Sequence, residues 1–114
     1  MNFGLRDIDV NRIRKVFDSC SQVEEVIIYG SRASGNFKPA SDIDLTLVGT
    51  ELNLTTQQKI ERQLDDLMLP YTFDISIYHQ ISNSELIEHI KRVGKLFYKK
   101  VKIDPGKIGN TIME

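Results

Sequence analysis

The sequence predicts an α/β domain, a small mixed sheet flanked by helices. Three observations lead there. Val26-Ile27-Ile28-Tyr29 is a short, continuous apolar run ending at Gly30, the pattern of a strand buried on both faces. Residues 42–48 and the stretch Phe73 to Tyr78 alternate apolar and polar, as strands with one covered face do. Around them, apolar residues recur at helical spacing.

In chain order, Val10, Ile13, Val16, Phe17 and Cys20 mark a first helix, with Asp7 or Asp9 available as its N-cap. The buried run 26–29 follows. In the second strand Ile43, Leu45 and Leu47 take the core face. Thr55 with Gln58 reads as a capping box opening a helix whose stripe is Ile60, Leu64, Leu67 and Met68, ended by Pro70. In the third strand Phe73, Ile75 and Ile77 face inward. Ser82 with Glu85 reads as a second capping box, with Ile81 stapled to Leu86. That helix carries Leu86, Ile87, Ile90 and Val93 and stops at Gly94. Leu96-Phe97-Tyr98 is a candidate edge strand. Beyond Asp104-Pro105-Gly106 a frayed tail is expected.

With 114 residues the chain has room for one domain, and no linker or repeat divides it. The hydrophobic fraction of 40% and charged fraction of 27% are those of an ordinary soluble protein. No apolar run approaches the roughly 20 residues a membrane helix needs. The N-terminal stretch has no secretory-signal pattern, and the lone Cys20 excludes an internal disulfide and reads as a small buried apolar residue. A cytoplasmic protein is expected. The net charge of −1 implies no avid nucleic-acid binding. Charge is segregated, however: residues 91–107 carry +6 and the remainder −7. A solvated helix end or a docking surface for an acidic partner would each account for this.

The chemistry concentrates in Gly30-Ser31-Arg32-Ala33-Ser34-Gly35 and in Asp42-Ile43-Asp44-Leu45. Residues i and i+2 of a strand share a face, so Asp42 and Asp44 project side by side. Such carboxylates repel unless a cation compensates them, and they are the hard oxygen donors that Mg²⁺ prefers. Alone, the pair is as readily a solubilising edge. If strands two and three share a sheet, Asp74 lies on the same face, and three carboxylates would hold one or two divalent ions. Gly30 allows a sharp turn and a close approach of phosphate, Ser31 offers a hydroxyl beside exposed amides, and Arg32 and Lys38 offer charge-assisted contacts. A bare Gly-Ser is usually only a turn; its place between two such strands is what singles it out. His79, His89 and Tyr29 read as a surface turn residue, a partly exposed helix residue and a packing residue.

GSRASG, a spacer, then SDIDL resembles the signature of the polymerase-β-type nucleotidyltransferase superfamily, in its minimal (MNT) branch. The resemblance runs from the first helix through Gly94-Lys95-Leu96-Phe97-Tyr98. It implies the polymerase-β-like nucleotidyltransferase fold, with Gly30 and Ser31 gripping a triphosphate. It also implies that Asp42 and Asp44 bind metal and that Asp74 is the third carboxylate, which activates the attacking hydroxyl. The implied substrate is an NTP, ATP first, with two ions of Mg²⁺ or Mn²⁺. One departure is Ser34, where many members carry a second arginine; triphosphate grip then rests on Arg32 and Lys38. Minimal members resemble one half of a two-protein system. The other half is a small helical substrate-binding subunit, or a HEPN toxin whose MNT partner is the antitoxin.

Two functions from different classes therefore stand. One is transfer of a nucleoside monophosphate to an acceptor hydroxyl, in concert with a helical partner. The other is an antitoxin-type module that neutralises a HEPN-like partner by binding, with or without nucleotidylating it. Homodimerisation through an exposed sheet edge is compatible with both. A DxD glycosyltransferase is disfavoured, since so short a chain lacks room for a nucleotide-sugar domain.

Overall fold

Helix α1 (Asp7–Asp18) forms where Val10, Ile13, Val16 and Phe17 fall on one face, and that face is buried. The structure, a computed structural model, describes residues 2–101. The tail expected to fray from about residue 104, with Lys102 and Lys107 of the basic segment, lies outside them. Neither Asp7 nor Asp9 caps α1. The N-cap position is Arg6, without a side-chain cap, and Asp9 turns inward instead. There it accepts from Arg6 Nε at 3.0 Å and from the Tyr71 hydroxyl at 3.1 Å. Donation from Arg6 holds its carboxyl below the usual range, against the opposing effect of burial. A guanidinium and a phenol are stronger partners than a backbone amide open to water.

Strand β1 (Glu25–Tyr29) runs into a five-residue helix α2 (Gly30–Ser34) and a loop, and β2 (Ile43–Val48) returns antiparallel to it. Helix α3 (Leu54–Asp65) then carries the chain across to β3 (Phe73–Ile77), which lies parallel to β2. A parallel pair requires such a crossover, which a tight turn cannot supply. A short 3-10 turn (Tyr78–Gln80) and helix α4 (Ser84–Val93) lead to β4 (Lys95–Lys99), antiparallel to the free side of β1. The strand order is β3-β2-β1-β4, a mixed sheet with β4 at one edge.

The helix starts differ from the sequence reading in a consistent way. Asn53, not Thr55, caps α3, its Oδ1 accepting from Thr56 N at 3.0 Å. Asn83, not Ser82, caps α4, accepting from Glu85 N at 2.9 Å and Leu86 N at 3.2 Å. Asparagine caps at least as well as serine or threonine, so where both are present the better-placed amide wins. Helix α3 also ends at Asp65, well before Pro70, and Met68 adopts a left-handed φ of 57° on the way out. Gly94 does stop α4, but with an ordinary extended backbone. Its lack of a side chain matters because a Cβ there would overlap Ile90 O and crowd Ile27 Cγ2.

Period-2 alternation divides the sheet into two faces. Val26 and Ile28, then Ile43, Leu45 and Leu47, then Ile75 and Ile77 form a core with α1 and α3. Cys20 is buried in the same cluster, as its apolar reading predicts. The opposite face carries Tyr29, Asp44, Thr46, Asp74 and Ser76, with α4 and α2 packed beside it.

Candidate functional site

In the parallel β2–β3 pair, Asp44 stands opposite Asp74, flanked by the apolar pairs Ile43 with Phe73 and Leu45 with Ile75. The apolar pairs fix which way the acids point: sliding either strand by one residue would bury carboxylates in the core. Asp42 sits one residue before β2 and is exposed, as is Asp74, whereas Asp44 is half-buried. The Asp44 carboxyl is pushed above its ordinary range, first by burial, then by the negative charges of Asp74 and Asp42. His89, on α4, acts in the opposite direction. Among the described residues the only ion pair is Arg6 with Asp9, so none of the three acids has a basic partner. Among the same residues, no three acidic, histidine or cysteine side chains close around a single point that could hold a metal ion.

Across the other side of β2, Asp44 stands opposite Tyr29, the last residue of β1. The chain then turns through Gly30 at φ 73°, and a Cβ on residue 30 would overlap Asp44 Oδ2. Both the left-handed backbone and this close approach require glycine. Ser31 follows, half-buried, at the start of α2. The far end of α2 is closed by Gly35 N, donating to Ser31 O at 2.9 Å, and by the Ser34 hydroxyl bonded to Asn36 Oδ1 at 2.7 Å. The Gly-Ser turn and the aspartate pair are thus contiguous.

Arg32 departs from its sequence reading. It is 2% exposed, and its guanidinium faces away from solvent. Nε donates to Ser41 O at 3.0 Å, Nη1 to Phe3 O at 2.9 Å, and Nη2 to Pro39 O at 3.2 Å. The group also lies over the rings of Phe37 and Tyr71, at 5.3 and 5.5 Å from their centroids. A side chain buried to this extent, with three of its N–H groups on carbonyls and two rings against it, is not presented to a triphosphate. The physical reason is that α2 turns its second residue pair inward, a direction the sequence alone does not specify. Lys38, by contrast, is exposed on the loop before Asp42.

His89 is a partly exposed residue of α4, as the sequence reading has it, but its contact with the site was not read. It lies between Leu86 and Ile90, at the spacing of the inward stripe of α4, and that spacing is the signal that could have found it. Its ring meets Tyr29 edge to face, with centroids 6.2 Å apart. Tyr29 is buried, and its phenol is pushed up by that burial and by the charges of Asp74 and Asp44. One step deeper along the strands, Thr46 and Ser76 are opposite each other, and both hydroxyls are buried without a hydrogen-bond partner. His79 is exposed and lines a cavity of about 340 Å³ with Glu24, Val48, Gly49, Thr50 and Tyr78. That cavity lies by the far ends of β1 and β2 and contains none of the three aspartates, so the chemistry points away from it.

Comparison with known proteins accords with this geometry. The family model described as Polymerase beta, Nucleotidyltransferase matches residues 11–103. No curated protein matches the chain. Among solved structures, one of a toxin-antitoxin with AMP-PNP superposes with a TM-score of 0.65 at 19% identity, covering 91% of this chain and 84% of that one. A structure of a tri-AMPylated Shewanella oneidensis HEPN toxin in complex with MNT antitoxin gives 0.62 at 14% identity, covering 95% and 79%. A structure of a protein from Sulfolobus solfataricus gives 0.54 at 23% identity, covering 86% and 85%.

Proposed function

The chain belongs to the polymerase-β nucleotidyltransferase family, and from that premise we propose that it transfers a nucleoside monophosphate from an NTP, ATP first, to an acceptor hydroxyl. The observation that carries this reading is the juxtaposition of Asp44 with Asp74 on one side and with the Gly30 turn on the other. Unpaired carboxylates around a half-buried Asp44 are a donor set suited to a hard divalent cation. Mg²⁺ typically takes only one or two carboxylates, completing its shell with water and substrate phosphates.

In this reading Asp42 and Asp44 hold the metal with Asp74 as the third carboxylate, and bound Mg²⁺ or Mn²⁺ supplies charge neutralisation at the transferring phosphate. Ser31 and the amides after Gly30 hold the triphosphate, with Lys38 adding charge from the loop. The acceptor hydroxyl oxygen forms a bond to the α-phosphorus while its proton passes to Asp74. The bond between the α-phosphorus and the bridging oxygen breaks, and pyrophosphate leaves with that electron pair. The residues contribute position and charge, which suffices for large rate enhancements.

The acceptor site is assigned to a separate helical protein. Chains in solved toxin-antitoxin structures share this fold, and the exposed Lys91, Arg92, Lys95 and Lys99 put positive charge along α4 and β4. Incubation with labelled ATP, Mn²⁺ and the product of the adjacent gene tests both statements. Label on the partner that disappears in an Asp42→Asn/Asp44→Asn double variant is the expected result. Neutralisation of the partner by the double variant as well as by the wild type, with no label transferred, would favour the pure binding module.

A further inference from the structure

We propose that Arg32 is a positioning residue, which locks the loop presenting Asp42 to the Gly-Ser turn; the inference rests on the nucleotidyl-transfer reading above. Arg32 is two residues beyond Gly30, on a helix of only five residues, so its backbone moves with that turn. Its side chain reaches the other half of the site. Ser41 O and Pro39 O, which accept from Nε and Nη2, belong to the loop that ends at Asp42. That loop is itself closed: Ser41 N donates to Lys38 O at 2.9 Å, and Lys38 N donates to Ser41 Oγ at 2.8 Å. Anchoring two carbonyls of a closed turn therefore anchors the turn as a unit, up to the residue that adjoins Asp42.

The third donor, Nη1, ties in Phe3 O from the N-terminal segment. Phe37 and Tyr71 cover the guanidinium, and Tyr71 in turn donates to the buried Asp9. The cation thus lies in a shell of carbonyl dipoles and π faces, with no carboxylate against it among the described residues. Such a shell makes burial of the charge tolerable and fixes the planar fork in one orientation. Lysine could not replace it, because one ammonium cannot address three carbonyls held at the edges of a planar group. The consequence is a rigid link between the turn that holds the phosphates and the strand entry that holds the metal-binding acid.

The test compares wild type, Arg32→Lys and Arg32→Met as full chains, with the partner protein, ATP and Mn²⁺. Amide hydrogen exchange over residues 36–43 is measured alongside kcat, the KM for ATP and the denaturation midpoint. Arg32→Lys is expected to speed exchange in 36–43 while β1 stays protected. It should lower kcat by about tenfold or more, as small misplacements do, and any rise in the KM for ATP should accompany faster loop exchange, since Lys38 sits on the same loop. A raised KM with unaltered loop exchange would make Arg32 a direct triphosphate contact and overturn the proposal. A lowered midpoint with kcat per folded molecule unchanged would make it a purely structural residue and overturn it as well. If Arg32→Met fails to fold, Arg32→Lys alone decides. If the wild type transfers nothing, the transfer reading fails on its own. Loop exchange together with Mn²⁺ affinity then still decides whether Arg32 sets Asp42: both altered supports it, neither altered refutes it.

Discussion

Gly30 and Asp44 share one volume: a Cβ on the first would overlap an oxygen of the second. The turn after β1 and the acid on β2 are therefore mutually dependent, and the φ of 73° at Gly30 adds a backbone reason for the same residue. Gly30→Ala should destabilise the fold by about 1–2 kcal/mol from the left-handed backbone alone. It should also displace the Asp44 carboxylate and so weaken Mn²⁺ binding. Denaturant titration and calorimetry check the two parts. A variant of unchanged stability and unchanged Mn²⁺ affinity would contradict this dependence.

Asp44 is half-buried among like charges, so its charged form opposes folding in the metal-free protein. Its carboxyl is raised, so the folded state binds a proton more tightly than the unfolded chain. Its contribution therefore becomes less favourable as pH rises from the ordinary carboxylate range through the raised value. Asp44→Asn should make the metal-free protein more stable at neutral pH and remove that decline. Affinity for Mn²⁺ with ATP should fall by at least about tenfold, since a donor oxygen is lost. A less stable variant at pH 7, with metal binding intact, would be the opposite result.

Ser31 is half-buried at the start of α2, and under the proposed function its hydroxyl bonds the triphosphate. Ser31→Ala should weaken ATP binding by about 1.5–3 kcal/mol, the worth of a hydrogen bond to a charged group. The denaturation midpoint should hardly move, which separates this residue from Gly30. Equal ATP affinities in wild type and variant would reduce the Gly-Ser pair to a turn.

Tyr98 ties the edge strand β4 to α1, its hydroxyl donating to Asp18 Oδ1 at 2.8 Å. Burial, then the bond to Asp18 and its charge, push this phenol up from 10.0 to about 12. A raised phenol contributes stability fully below its unfolded value, and that contribution is lost as pH climbs through the folded one. Wild type should therefore lose stability between about pH 10 and about 12. Tyr98→Phe should be weaker by about 1 kcal/mol at neutral pH and show a shallower alkaline decline. Parallel pH profiles for the two proteins would remove Tyr98 from the alkaline transition.

Much of this molecule was determined by the sequence by itself, wherever the information is local and periodic. Alternation in 42–48 and 73–77 already separates Ile43, Leu45, Leu47, Ile75 and Ile77 from Asp44 and Asp74, because side chains of a strand can only take one face or the other. The same holds for Ile60 and Leu64 of α3, the stripe of α1 and the edge position of residues 95–99, whereas Met68, read into the α3 stripe, lies beyond the helix and is 87% exposed. The caps were less legible: several residues near each helix start could fill the role, and only the final path of the chain made Asn53 and Asn83 the better placed. Tertiary structure alone decided the rest. It set the parallel register that puts Asp74 opposite Asp44, which no pattern within one strand encodes. It brought His89 against Tyr29, and it turned Arg32 from an available cation into an internal clamp. These outcomes depend on which distant carbonyls, rings and strands arrive beside a side chain, and that is fixed only when the whole core closes.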